Sequence, residues 1–226
     1  KGGSMHMFSK SESFYGGHGI VGAQVPIGAG IAFANKYKKN GCVCFTYFGE
    51  GAANQGQVYE AFNMASLWKL PVVFVIENNQ YAMGTSMIRA SSTEEMFARG
   101  LAFNIPGKAV NGMNVLDVAK EAANAADHCR VGKGPFILEM KTYRYRGHSM
   151  SDPAKYRTRE EVQKVREEKD PIDTLRSLLI KKHKVLEKEF KDTDAKIKAI
   201  VTEASDFALK SPEPDIEELW TDVYAD

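Results

Sequence analysis

The chain has 226 residues, 43% of them hydrophobic, and a formal net charge of +1. That length suffices for one large domain with a full core. The near-neutral charge argues against a nucleic-acid or membrane partner, and no apolar stretch approaches the length of a bilayer span. Cys42, Cys44 and Cys129 are too few and wrongly spaced for a metal cluster or a disulfide framework, which fits a reducing compartment. The start at Lys1-Gly2-Gly3, without Met, predicts a piece of a longer chain, and no signal or transit peptide can be read from it.

In chain order, Ser4 to Gly22 reads as a glycine-rich loop. A helix follows through Pro26, Ile27, Ala29, Ile31, Ala32, Phe33 and Ala34, ending near Lys36–Lys39; its Gly28 and Gly30 are expected to admit close approach of another helix. Val43 to Phe48 and Val72 to Ile76 are short apolar runs rich in β-branched and aromatic residues, predicted to be strands buried on both faces. Cys42 and Cys44 are expected on one face of the first strand, as small core residues. Between the runs lies a helical pattern from about Asn54 to Trp68, with Val58, Ala61, Phe62, Ala65 and Leu67 on one side, stopped by Pro71. Strand, helix, strand makes a parallel pair with a right-handed crossover. Further on, Ser92-Thr93-Glu94-Glu95 is a helix start, Val110 to Asn114 a turn, Val115 to Arg130 a helix, and Pro135 to Met140 a strand. An arginine-rich loop runs from Arg144 to Arg159. The charged tail from Glu160 to Leu209 reads as helical, with capping signals at Thr158-Arg159-Glu160-Glu161 and Asp170-Pro171. The expected fold class is α/β, a parallel sheet flanked by helices with a helical C-terminal tail. Residues 1–159 form the ligand-binding domain, and residues 160–226 an extension packed on it.

Two polar clusters end the two apolar runs: Gly49-Glu50-Gly51-Ala52-Ala53-Asn54 and Glu77-Asn78-Asn79-Gln80-Tyr81. Both fall at the carboxyl ends of parallel strands, where open α/β sheets bind ligands. The Glu50 carboxylate, the Asn79 side-chain carbonyl and backbone carbonyls near Tyr81 are oxygen donors suited to Mg²⁺ alongside phosphate oxygens. Gly51 and Ala52 stand where the next helix begins, so their amides can meet diphosphate oxygens. A strand-end turn with an Asx-type hydrogen bond is the plainer account of either Glu50 or Asn79 alone; the pair favours a Mg²⁺-diphosphate site. Gly17-His18-Gly19-Ile20-Val21-Gly22 satisfies G-x-G-x-x-G, but Lys10 to Phe14 is a poor strand and Lys36–Lys39 stands where an acidic residue belongs, which disfavours a nicotinamide site.

The Gly-acid-Gly turn followed by Asn-Asn resembles the diphosphate motif of thiamine-diphosphate enzymes. Gly51-Ala-Ala-Asn-Gln-Gly-Gln57 and Asn63-Met-Ala-Ser-Leu-Trp-Lys-Leu-Pro71 resemble the alpha-subunit family of the pyruvate dehydrogenase decarboxylating component. The similarity extends from Gly2-Gly3-Ser4-Met5-His6-Met7 to beyond Arg159. One departure is Glu50, where the family usually has Asp; the extra methylene carries the carboxylate further into the site. The resemblance implies a thiamine-diphosphate-binding fold and oxidative decarboxylation of pyruvate, with acetyl transfer to the lipoyl domain of the dihydrolipoyl acetyltransferase component. It implies thiamine diphosphate and Mg²⁺ as cofactors. Glu50, Asn79 and Tyr81 would hold the metal, and Gly19 and Val21 would face the aminopyrimidine through backbone groups. His148, in Arg144-Tyr-Arg-Gly-His-Ser-Met-Ser-Asp-Pro153, would serve acyl transfer, for which imidazole suits; a solvated basic loop is the plainer account of that segment. A serine matching Ser149 is phosphorylated in mitochondrial members. A beta subunit would complete an α2β2 heterotetramer, in a bacterial cytoplasm or alternatively the mitochondrial matrix. Branched-chain 2-oxo acid or acetoin dehydrogenase subunits, and a non-catalytic assembly subunit, remain alternatives. His6, His18, His128 and His183 are expected to be structural.

Overall fold

The strand that organises the sheet is Val72–Asn78, because it is buried on both faces and pairs on both edges. The structure is a computed structural model and describes residues 6–221 and 223; Gly2 to Met5, which begin the family resemblance, lie outside them. In chain order the elements are α1 (Gln24–Lys38), β1 (Cys44–Gly49), α2 (Gly56–Leu67), β2 (Val72–Asn78), β3 (Tyr81–Ala82), β4 (Thr85–Ser86), α3 (Met87–Ala90), β5 (Gly107–Asn111), α4 (Val115–Arg130), β6 (Phe136–Lys141), α5 (Arg159–Lys169), α6 (Pro171–His183) and α7 (Glu187–Lys210). Short 3-10 helices cover Ala52–Asn54, Met96–Phe103 and Ile216–Leu219. The described residues divide into two compact units between Leu175 and Arg176.

In the first unit the sheet runs β1-β2-β6-β5, all parallel. Alternation along β2 assigns its residues to two layers. Val72, Phe74 and Ile76 face α1, α2 and the Met96–Phe103 helix, together with Val25, Ala32, Val58, Phe62 and Met96. Val73 and Val75 face α4, where Ala125, Cys129, Leu138 and Met140 close the second cluster. Phe62 and Phe74 pack with ring centroids 4.7 Å apart, and burying side chains of this size contributes about 1.5–3 kcal/mol each. The result is the expected α/β sheet flanked by helices, with the crossovers forced onto both faces by a core on each side.

Several local expectations shift. Among the described residues β1 lies at the edge of the sheet, and Tyr47, on the face away from α1, is 55% exposed, so the strand is not buried on both faces. Cys42 lies outside the strand and is exposed, whereas Cys129 is buried. The helix expected from Asn54 begins as the 3-10 turn Ala52–Asn54 and becomes α2 at Gly56, and Leu67 faces solvent at 71% exposure while Val58, Ala61, Phe62 and Ala65 are buried. Gly28 serves packing within the chain: a Cβ there would stand 2.6 Å from the Thr46 Cβ, whose hydroxyl donates to Gln24 O at 2.9 Å. Ser92 to Glu95 precede a 3-10 helix rather than an α-helix. β5 occupies part of what reads as turn in the sequence.

The tail is helical as expected. The Thr158 hydroxyl accepts from Glu161 N–H at 3.1 Å, and Asp170 Oδ1 accepts from Ile172 and Asp173 N–H at 2.9 and 3.2 Å, with Pro171 opening α6. In the second unit, the Arg176 guanidinium lies 5.2 Å from the Phe190 ring centroid and pairs with Glu187. Among the described residues no helix is long and apolar enough to cross a membrane.

Candidate functional site

Parallel pairing sets Gly49 opposite Glu77, so the residues after β1 and at the end of β2 emerge side by side at the carboxyl edge of the sheet. Glu50 is 2% exposed, and its Oε2 accepts from Asn79 N–H at 3.2 Å. Its other oxygen, Oε1, is buried and has no hydrogen-bond partner among the described residues. Burial raises the Glu50 pKa, opposed by backbone donors, the Asn79 amide among them, and by the Arg144 charge. Asn79 Oδ1 accepts from Tyr81 N–H at 3.3 Å, closing an Asx turn. The Tyr81 carbonyl accepts from Arg144 Nη1 at 3.2 Å, which leaves it one lone pair beside a fixed cation.

Gly51 lies against the β3–β4 hairpin, and a Cβ at this position would collide with the Ala82 methyl. Ala52 opens the 3-10 turn, so its amide and that of Gly51 belong to that turn and not to α2. Arg99 fastens the same turn: its Nη1 donates to Ala53 O at 2.9 Å, to Asn54 Oδ1 at 2.8 Å and to Tyr59 Oη at 2.9 Å. Nothing in the run Met96-Phe-Ala-Arg-Gly-Leu marks Arg99 out except a lone cation in an apolar stretch.

The glycine loop meets the start of α2. Gly19 and Val21 are exposed, and the Val21 carbonyl accepts from Gln57 Nε2 at 2.9 Å. Residues 9–14 form a single antiparallel bridge between Ser9 and Phe14, not the strand that a dinucleotide fingerprint requires. His148 is exposed, and no hydrogen bond joins its ring to Glu50, Asn79 or Tyr81 among the described residues. Its loop is nevertheless ordered from within. Asp152 accepts from His148 N–H at 2.7 Å, Tyr156 O–H at 2.7 Å and Ala154 N–H at 2.9 Å, donors that hold its pKa down to about 2.

That loop is also fastened to the turn Asn79–Met83. Arg144 Nη2 donates to Met83 O and Tyr156 Oη, both at 2.6 Å, and the Tyr81 and Tyr156 rings pack 4.8 Å apart. Arg157 is 8% exposed and sits 5.7, 5.1 and 5.2 Å from the ring centroids of Tyr81, Tyr143 and Tyr156. Among the described residues its Nε and Nη1 have no hydrogen-bond acceptor, and the ring faces provide the compensating negative potential. The sequence shows the tyrosines and arginines of this loop, but not that they would enclose one another.

The donor chemistry fits a hard cation. Glu50 Oε1 is a buried carboxylate oxygen left without a donor, an arrangement that costs about 1–3 kcal/mol unless something else meets it. Asn79 Oδ1 and the Tyr81 carbonyl are neutral oxygens on the same turn. No group of three or more His, Cys, Asp or Glu among the described residues is arranged to hold a metal, so a cation here draws on one carboxylate and on amide oxygens.

A parallel α/β sheet that brings polar side chains to the carboxyl ends of adjacent strands has the arrangement in which open-sheet domains hold small-molecule ligands. The chain belongs to the dehydrogenase E1 component family, whose model matches residues 1–217. It is 60% identical over 223 residues to the Rhizobium meliloti (strain 1021) pyruvate dehydrogenase E1 component subunit alpha, covering 99% of this chain and 64% of that protein. It is 59% identical to the Zymomonas mobilis protein of the same name, of which it covers 63%. The human somatic mitochondrial form is 51% identical over 226 residues, all of this chain and 57% of the relative. The chain thus spans less than two thirds of the length of each of these relatives.

Proposed function

We propose that this chain is the alpha-subunit part of a thiamine-diphosphate-dependent pyruvate dehydrogenase E1 component and contributes the metal and diphosphate half of its active site. The observation that carries the reading is the partnerless, buried Glu50 Oε1 beside Asn79, at the carboxyl ends of adjacent parallel strands. Glu50 Oε1, Asn79 Oδ1 and the Tyr81 carbonyl would hold Mg²⁺; Gly51 and Ala52 would meet the diphosphate; Gly19 and Val21 would face the aminopyrimidine. Thiamine diphosphate, when bound, supplies the electron sink for loss of carbon dioxide from a 2-oxo acid. The residues of this chain anchor and orient that group, and Arg144 steadies the Tyr81 carbonyl. His148, on the loop that Asp152 and Tyr156 hold in place, is exposed and so accessible to a lipoyl group arriving from solution. A beta subunit completes the site in an α2β2 assembly, and the partner for acetyl transfer is the lipoyl domain of the acetyltransferase component. A cytoplasmic bacterial setting belongs to the same proposal, supported by the Rhizobium and Zymomonas relatives.

The test is reconstitution of the full-length chain with its beta subunit, with Mg²⁺ and thiamine diphosphate added. Pyruvate should be turned over in preference to branched-chain 2-oxo acids and acetoin. His148→Ala should impair reductive acetylation of a lipoyl domain more than reduction of an artificial electron acceptor. Absence of Mg²⁺-dependent cofactor binding would defeat the catalytic reading and leave a non-catalytic assembly subunit; equal losses in the two His148→Ala assays would assign that residue to cofactor positioning.

A further inference from the structure

Glu139 stands in the middle of β6, 0% exposed, on the sheet face that carries Phe74 and Ile76 and opposite Ile76 in register. A carboxylate in such a place costs several kcal/mol unless its oxygens are met. Both are met. Oε1 accepts from Asn78 Nδ2 at 2.7 Å, and Oε2 accepts from Phe97 N–H at 3.2 Å. Each donor leads to one wall of the candidate site.

On the first wall, Asn78 is itself 3% exposed; its Nδ2 also lies 3.2 Å from Met87 Sδ, and its Oδ1 accepts from Gln80 N–H at 3.1 Å. Gln80 has φ 74, in the left-handed region that non-glycine residues seldom occupy. The amides on either side are held in the same way, Asn79 N–H by Glu50 and Tyr81 N–H by Asn79. Three consecutive backbone amides are thus bonded to side-chain oxygens, and the middle one is fixed from beneath the sheet edge through Asn78. On the second wall, Phe97 lies in the 3-10 helix Met96–Phe103, whose Arg99 grips Ala53 O and Asn54 Oδ1 just after Gly51 and Ala52.

We propose that Glu139 is a positioning residue for the cofactor site, a buried brace that fixes the Asn79–Tyr81 turn through Asn78 and the Gly51–Asn54 turn through Phe97 and Arg99. An apolar side chain would fill the same volume, but it would free the Asn78 amide to rotate and leave Phe97 N–H unbonded. The part of this inference that concerns cofactor affinity rests on the thiamine-diphosphate reading above; the part that concerns the turn does not.

The experiment uses the full-length chain assembled with its beta subunit and compares wild type, Glu139→Gln, Asn78→Asp and the double variant. Glu139→Gln sets an NH₂ against a donor, either Asn78 Nδ2 or Phe97 N–H. Asn78→Asp sets two buried carboxyl groups face to face. In the double variant each bond of the brace has a donor again, and the Asn78 contact with Met87 Sδ is the one lost: the new Gln donates to the new Asp and accepts from Phe97 N–H, and the Asp accepts from Gln80 N–H. Three readouts are taken: the dissociation constant for thiamine diphosphate at saturating Mg²⁺, hydrogen exchange of the Gln80 and Tyr81 amides without cofactor, and the melting temperature. Glu139→Gln should weaken binding about tenfold, as loss of a residue that orients ligand groups typically does, and should speed exchange at Gln80. The double variant should recover most of both losses, even where Asn78→Asp alone folds poorly. Unchanged affinity and exchange in Glu139→Gln would overturn the proposal. So would a double variant no better than either single, or a lowered melting temperature with affinity and Gln80 exchange intact. A wild-type assembly that binds no thiamine diphosphate would instead defeat the functional reading, and Gln80 exchange in the variants would still decide the brace.

Discussion

Replacing Gly51 by alanine adds one methyl group at a point where the backbone permits it and the neighbour does not. Gly51 has φ −67 and ψ −43, ordinary for any residue, so the obstruction is steric: the new Cβ would run into the Ala82 Cβ. Non-bonded carbons settle about 3.5–4.0 Å apart, so the hairpin β3–β4 must retreat by roughly 1 Å or more. Ala82 adjoins Tyr81, whose N–H reaches Asn79 Oδ1 at 3.3 Å and whose carbonyl accepts from Arg144 at 3.2 Å. A retreat of that size takes both bonds out of range. Overpacking costs about 1–3 kcal/mol, the neutral bond to Asn79 about 0.5–1.5 kcal/mol and the charge-assisted bond from Arg144 about 1.5–3 kcal/mol, less what the short hairpin recovers by moving. The expected outcome is a fall of about 3 kcal/mol in unfolding free energy by urea titration. Thiamine diphosphate affinity should drop by about tenfold or more, because Asn79 and Tyr81 are displaced together. Adding Ala82→Gly removes the colliding methyl and should restore most of both quantities. A Gly51→Ala chain with wild-type stability and affinity would refute the reasoning, as would a double variant that recovers neither.

Asn79→Ala should leave the fold intact but weaken Mg²⁺-dependent thiamine diphosphate binding in the assembled enzyme, since it removes a neutral oxygen and the acceptor for Tyr81 N–H; unchanged affinity on calorimetric titration would remove Asn79 from the metal set. The Asp152 carboxyl, held down to about 2 by His148 N–H, Tyr156 O–H and Ala154 N–H, should show a midpoint near that value by carbon-detected NMR. Because its folded-state pKa is depressed, its hold on the loop is complete above the usual carboxylate range and is lost as pH falls through about 2. Tyr156→Phe removes one of the three donors and should move that midpoint upward; an unmoved midpoint would show that the bond contributes nothing. Cys42 is exposed, whereas burial pushes the Cys44 thiol up to about 11 and the Cys129 thiol up to about 12. Iodoacetamide at neutral pH should therefore label Cys42 in the folded chain and reach Cys44 and Cys129 only after denaturation, with the modified peptides identified by mass spectrometry.

What lay open in the sequence is what local chemistry dictates. The apolar run Val72 to Ile76, stopped by Glu77-Asn78-Asn79, defines a strand and its polar end without any knowledge of neighbours. The span of α4 follows from the helical run after Asn114, whose side chain accepts from Leu116 and Asp117 N–H at 3.0 and 3.4 Å. Thr158 and Asp170 mark helix starts for the same reason, a short polar side chain satisfying free amides. The pairing of Glu50 with Asn79 was legible too, because one strand-helix-strand unit puts the ends of its two strands side by side.

Tertiary structure decided the rest. Gly107-Lys-Ala-Val-Asn111 is too short and too mixed to announce itself; it becomes β5 because β6 offers it a free edge. Apolar content marked β1 as a strand but not which of its faces would stay open, since the layer that covers or spares Tyr47 is a property of tertiary packing and not of the run itself. The supports of the site join residues far apart in the chain: Glu139 to Asn78, Glu139 to Phe97, Arg99 to Ala53, Arg157 to the Tyr81 ring. A sequence records what each residue can donate, accept or bury. Which partner it meets is fixed only when the strands take their order, because hydrogen bonds and ring contacts act over a few ångströms while these residues stand tens of positions apart.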